Sequence, residues 1–146
     1  MGIADADSGE HDTSSQNLII APVACPIPGG LEGAPKLSGA SKLRIKPGGR
    51  LASIYGACEI EEEYFCNFEV NPEYEWCAME AGFPVVARGS QGEIRAIESP
   101  AHRFFIATLF QPQLFSTEKN PHPLVMAFVQ AAAVWTHQKL DDAVLE

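Results

Sequence analysis

The stretch "FIATLFQPQLFS", Phe105 to Ser116, decides the fold. An apolar, β-branched run climbs to Phe110 and breaks at Gln111-Pro112-Gln113, so it reads as a strand ended by two neighbouring amides. The run from Phe104 to Phe110 does not alternate apolar with polar side chains. It is therefore expected to be a central strand, covered on both faces and flanked along each edge.

Working outward, Pro123 opens a helix that places Leu124, Val125, Phe128, Val129 and Ala132 on one face. On the other side, "PVVAR" and "EIRAIES" flank the turn "GSQG" and predict a hairpin. "NPEYEWCAMEAG" predicts a short helix, with Asn71 as N-cap, Pro72 at the first helical position and Gly82 just past the end. Glu62 to Asn71 reads as one strand, with Tyr64, Cys66, Phe68 and Val70 on one face and Phe65, Asn67 and Glu69 on the other. "NLIIAPVAC", Asn17 to Cys25, predicts a strand. "KLRIK" predicts another, and "LASIYG" a short strand or a single helical turn. The first sixteen residues and residues 26–41 read as loop. The whole is an α/β pattern with an antiparallel hairpin, in one domain over 1–136 with a tail at 137–146.

With 146 residues, of which 46% are hydrophobic, the chain has material for one sizeable core. Ten Lys and Arg against nineteen Asp and Glu give a net charge of −9, which argues against nucleic acid and anionic membrane surfaces as partners. The acidic run "EIEEEY", Glu59 to Tyr64, is expected to be a solvated face. No run of eighteen apolar residues occurs and the N-terminus has no signal-peptide pattern, so a soluble, cytoplasmic protein is expected. Cys25, Cys58, Cys66 and Cys77 have no C-x-x-C spacing and read as reduced, structural thiols. No metal or cofactor is indicated.

The order of these landmarks resembles the C-terminal half of the class I glutamine amidotransferase domain of CTP synthase, a flavodoxin-like sheet. "DADSGE" is similar to that family's "NANSTE", "EYFCNFEVN" to "RHRHRYEFN" and "IRAIESPAHRFF" to "VEIIELPDHPWF". "LFQPQLFS" is similar to "QFHPEFKS", and "HPLVMAFVQAA" to "HPLFAGFIKAA". The resemblance implies that Gln111 and Gln113 stand where the family has the His general base and the Glu that orients it. A carboxamide does not titrate near neutral pH, so Gln111 cannot take a thiol proton. The resemblance places Asn67 where an Arg binds the substrate carboxylate, and Glu10 where a Glu holds the substrate amino group. An asparagine lacks both the charge and the bidentate fork.

The family's nucleophile elbow, Gly-x-Cys-x-Gly, has no counterpart among the four cysteines. Cys66, at a former His place, is a candidate nucleophile for different chemistry, and a buried inert thiol is its plainer reading. His102 lies about 20 Å from Gln111 if the intervening strand is extended. His122 is expected to cap the last helix or lie in solvent, and His11 and His137 to lie in loop and tail. The resemblance therefore implies a protein that does not hydrolyse glutamine and is kept for binding or as a scaffold. The alternatives are an enzyme with new chemistry in the old pocket, acting on a small organic acid or amide, and an accessory chain in CTP synthesis. The apolar strand also calls for a second polypeptide that completes the sheet, or for a homo-oligomer.

Overall fold

Alternating apolar residues fix the longest strand. In the computed structural model, which describes residues 2–24, 27 and 33–144 with side chains of the last helix described to Trp135, Leu37, Leu43 and Ile45 all face the core. Two short strands precede them: β1 (Asp7–Ser8) lies parallel to β2 (Leu18–Pro22). The long strand β3 (Leu37–Ile45) thus begins inside the segment expected to be loop. Gly39, at φ +100, takes a backbone conformation that a side chain would strain, within the strand. Helix α1 (Arg50–Tyr55) follows, closed by Gly56 in the left-handed region.

Next come β4 (Glu59–Cys66) and β5 (Phe68–Val70), then a 3-10 turn at Pro72–Tyr74 and α2 (Glu75–Glu80). The Asn71 side chain accepts the Glu73 N–H at 3.1 Å, as an N-cap should. The hairpin forms as β6 (Val85–Gly89) and β7 (Ile94–Glu98). It is followed by β8 (Ile106–Thr108), α3 (Pro112–Phe115) and α4 (Pro123–Val144). The last helix thus continues through most of the segment expected to be a tail.

Two sheets result. The larger is antiparallel in the order β4-β3-β6-β7-β8, and the smaller runs β1-β2-β5. The segment read as one strand from Glu62 to Asn71 divides at Asn67, where the chain leaves β3 to pair with β2. Asn67 marks the step because its carbonyl accepts the Val23 N–H and its side-chain oxygen the Lys36 N–H, both at 2.9 Å.

The deciding stretch is not the central strand. Its regular part is three residues long and lies at an edge of the larger sheet, with Ala107 exposed. The apolar residues around it serve to close the sheet. The Leu109 N–H donates to the Arg95 carbonyl of β7 at 3.0 Å, and two residues later the Gln111 N–H donates to the Glu63 carbonyl of β4 at 2.8 Å. The sheet is therefore curled until one three-residue segment, running on from the edge strand β8, bonds to β7 at one end and to the opposite edge strand β4 at the other. Phe110, 1% exposed, fills the curl with its ring edge-to-face on Tyr64 at 6.2 Å. Phe104 packs on Phe128 of α4, and Phe105 on Phe83. The remaining core is Val23, Leu37, Leu43, Ile45, Leu51, Val86, Ala87, Ala96 and Leu124.

Glu98 joins α1 to this sheet. Its two carboxylate oxygens accept the Arg50 and Leu51 N–H groups at 3.0 Å each, which satisfies two of the helix's orphan donors from another strand. Gly49 leaves room for the carboxylate, because a Cβ there would stand 2.5 Å from Glu98 Oε1.

Candidate functional site

The end of β4 gathers three of the five residues singled out in the sequence. Gln111 is extended, at φ −114 and ψ 91, just ahead of Pro112 at the first position of α3. Its carboxamide nitrogen donates to the Phe65 carbonyl at 3.2 Å, beside its backbone bond to Glu63. Cys66 is half-buried, and its Sγ accepts the Phe68 N–H at 3.4 Å. Asn67 follows, with its side-chain oxygen engaged by Lys36.

Glu10 is exposed and its N–H donates to Ser8 Oγ at 3.3 Å. The preceding Gly9 lies against β5, where a Cβ would meet Phe68 Cε1 at 3.2 Å. Gln113 is exposed on α3. A cavity of about 470 Å³ lies elsewhere, lined by Arg44, Lys46, Glu75, Met79, Arg88 and Ser90 among others.

A second cluster was not foreseen. Glu62, inside the acidic run expected to be solvated, is 3% exposed and lies against His122, which is 5% exposed. His122 Nε2 stands 3.0 and 3.1 Å from the two carboxylate oxygens, while its Nδ1 accepts the Leu124 N–H at 3.2 Å. Because Nδ1 is an acceptor, the ring proton sits on Nε2 and faces Glu62. The Tyr55 hydroxyl donates to the same carboxylate. Burial, and then that carboxylate, push the Tyr55 phenol far above its ordinary pKa.

One of the two expectations for His122, capping the last helix, is thus met by Nδ1; the other, solvent exposure, is not. Of the rest of the run only Glu59 and Glu61 are exposed as expected, Glu59 pairing with Lys42 at 3.6 Å, whereas Ile60 and Glu63 are half-buried and Tyr64 is buried. The missed signal was the period of two through Ile60, Glu62 and Tyr64, which puts one carboxylate on the inner face.

Glu69, expected on the face away from Tyr64, is also buried. It accepts the Ala24 N–H at 2.9 Å through one oxygen and pairs with Arg95 at 3.0 Å through the other. Arg95, 5% exposed, also pairs with Glu93 and lies over the Tyr64 ring at 5.5 Å. Burial drives the Tyr64 phenol upward as well, partly offset by this guanidinium. Both clusters are fully paired and tie elements together.

Of the other histidines, His102 hydrogen-bonds Ser99 Oγ at 2.8 Å and stacks on Phe83, and His11 is exposed beside Asp7. The side chain of His137 and all of Cys25 lie outside the described residues. Cys58 is exposed and Cys77 buried, both as free thiols. Among the described residues there is no metal-binding group of His, Cys, Asp and Glu, and no helix long and apolar enough to cross a membrane.

No family model matches the chain. Curated relatives do. It is 35% identical over 112 residues to the CTP synthase of Gluconobacter oxydans, covering 76% of this chain and 20% of that protein. The CTP synthase of Bacteroides thetaiotaomicron is 32% identical over 133 residues, covering 90% of this chain and 25% of that protein. The structure superposes on the glutaminase domain of Trypanosoma brucei CTPS with bound acivicin, with a TM-score of 0.78 and 29% identity, covering 90% of this chain and 52% of that one.

This chain is related to the CTP synthase glutaminase domain. Its fold is that of a class I glutamine amidotransferase domain, as expected from the landmarks. A protein of Thermoplasma acidophilum assigned as a GMP synthase subunit shares that fold at a TM-score of 0.57 and 15% identity. The amidotransferase-like chain spans about a quarter or less of the curated relatives it matches.

Proposed function

We propose that this amidotransferase-like protein does not hydrolyse glutamine and acts as a binding or scaffold protein. The carrying observation is the bond from the Gln111 carboxamide to the Phe65 carbonyl. At the place where the resemblance puts a general base stands a neutral amide that ties α3 to the end of β4. Neighbouring groups are used in the same way. The Asn67 oxygen holds the Lys36 N–H in place of a substrate, and Cys66 accepts a local N–H. A nucleophile needs a base within about 2.6–3.2 Å, and no His or carboxylate hydrogen-bonds Cys66 among the described residues.

The test is ammonia release from glutamine by the purified chain, and by Gln111→His with Gln113→Glu. Neither is expected to release ammonia, because the cysteine elbow has no counterpart in the chain and Asn67 leaves a substrate carboxylate without its charged partner, the second a loss of about 3 kcal/mol or roughly a hundredfold in affinity. Release by the wild type that disappears in Gln111→Ala would overturn the proposal.

A second reading, an accessory role in CTP synthesis, is favoured by the name the relatives share. It predicts that the chain changes CTP formation by a CTP synthase in a reconstituted assay. An unchanged rate at saturating chain would remove it.

A further inference from the structure

We infer that the groove of about 470 Å³ on the outer face of β3 and β6 binds a small organic phosphate. Leu43 and Ile45 are buried, so Arg44 between them points outward. Lys46 follows on the same face, its N–H continuing the ladder to the Val86 carbonyl at 2.8 Å. Arg44 stands directly across from Arg88 of β6. Like charges opposed on neighbouring strands destabilise a sheet, so this pairing calls for an anion. Three of the chain's ten Lys and Arg residues thus line one groove, in a chain of net charge −9.

The protein itself compensates only part of that charge. Glu75 of α2 is the one carboxylate lining the groove among the described residues, and Arg88 takes it through Nη2 while donating through Nη1 to the Gly92 carbonyl at 2.9 Å. On the other side of Arg44, its β4 partner Glu59 pairs with Lys42. Arg44 and Lys46 are exposed, and among the described residues neither side chain has a hydrogen bond or an ion pair. Two unmatched positive charges remain, on residues about 7 Å apart along one strand.

Their number selects the ligand. A phosphate monoester carries about −1.5 to −2 at neutral pH on three acceptor oxygens, which matches two cations, whereas one carboxylate matches one. Arg44 supplies a planar fork and Lys46 a point charge, the two ways in which side chains hold phosphate. The volume leaves room for an organic body, with Met79, 56% exposed, as an apolar wall and Ser90 of the hairpin turn as a polar one. These residues lie on β3, α2 and the β6–β7 hairpin, elements in direct contact, so the site is built within one sheet and the helix on it. Arg44 is seven residues, about 23 Å, along β3 from Leu37, the partner of Cys66. The inference therefore does not rest on the reading of the Gln111 cluster.

Calorimetric titration of the 146-residue chain with glucose 6-phosphate and with inorganic phosphate, at low salt, tests it. Saturable binding at one site is expected, with inorganic phosphate competing. Glucuronate, which carries one carboxylate on a similar ring, is expected to bind about tenfold more weakly. Arg44→Ala and Lys46→Ala are each expected to weaken binding by about tenfold or more, and Lys42→Ala, on the same face but paired with Glu59, by less than about twofold. Because Arg44 opposes Arg88, Arg44→Ala should lose the ligand without a lower melting temperature, which separates a lost contact from a lost fold. No saturable binding of either phosphate, or binding indifferent to both the Arg44 and Lys46 substitutions, would overturn the site. Glucuronate bound as tightly as the sugar phosphate would overturn phosphate as its ligand.

Discussion

Replacing His122 with alanine removes two hydrogen bonds that serve different elements. The Leu124 N–H loses its acceptor at the start of α4, a loss of the N-cap kind worth about 1 kcal/mol. The Glu62 carboxylate, 3% exposed, loses the Nε2–H donor 3.0 Å away. Hydrogen bonds to charged groups contribute about 1.5–3 kcal/mol, and stranding a buried charge entirely costs about 3–5 kcal/mol. The Tyr55 hydroxyl still donates to Glu62, which keeps this second loss near 2 kcal/mol.

The sum is about 3 kcal/mol, a large part of the roughly 5–15 kcal/mol that holds a domain folded. It corresponds to a melting temperature lowered by about 6–12 °C, and to a urea midpoint lowered by about 1.5 M at a slope of ~2 kcal/mol/M. The assay is urea unfolding followed by both far- and near-UV CD, with the slope checked for constancy. His122→Asn keeps one donor and one acceptor on a shorter side chain and is expected to recover about 1 kcal/mol. A His122→Ala protein within ~1 kcal/mol of wild type would refute the assignment of His122 as a structural tie.

Gly49→Ala is expected to lower stability by about 1–3 kcal/mol, because its Cβ falls 2.5 Å from the Glu98 oxygen that holds the α1 amides; a calorimetric melt unchanged within 1 °C would contradict this. Gln111→Ala is expected to cost about 1 kcal/mol and to raise hydrogen exchange at the edge of β4, and unchanged exchange there would show that the Phe65 bond is unimportant. The phenols of Tyr55 and Tyr64 are both shifted upward, so the folded chain keeps protons that the unfolded chain releases above about pH 10. Their contribution is full below that pH and falls as pH rises further. In an absorbance titration at 295 nm these two tyrosines should ionise only as the protein unfolds, and full ionisation with native CD retained would contradict their burial.

Local chemistry made much of the fold legible. The Asn71-Pro72 cap, the "GSQG" turn and the apolar alternation of "KLRIK" each carry their own structure, and each appears where expected. The errors arose where distant residues set the outcome. Phe104 to Phe110 is apolar because it touches α4, Phe83 ahead of the hairpin and the inside of the curl in turn, a pattern that period alone does not distinguish from a central strand. Glu62 looked solvated because its partner His122 lies sixty residues further on. Asn67 stands out in the sequence for the charge it lacks and Gln111 for the proton it cannot take, whereas their actual bonds, to Lys36 and Phe65, are backbone contacts that leave no mark in a linear pattern.

The closing of the curled sheet has a consequence for synthesis. Strand β4 pairs with β3 over Leu37 to Cys66, so that hairpin is complete soon after the ribosome passes residue 66. The groups that cover its inner face and clasp its edge, Phe110, Gln111 and His122, come much later. At about 5–20 residues per second, the sixty residues between Glu62 and His122 take roughly 3–12 s to translate. For that time Tyr64 and Glu62 stand on the face of an unfinished ribbon. A carboxylate in the middle of that face keeps it wetted and lowers the chance that two nascent ribbons stack, an advantage that a leucine at position 62 would lack.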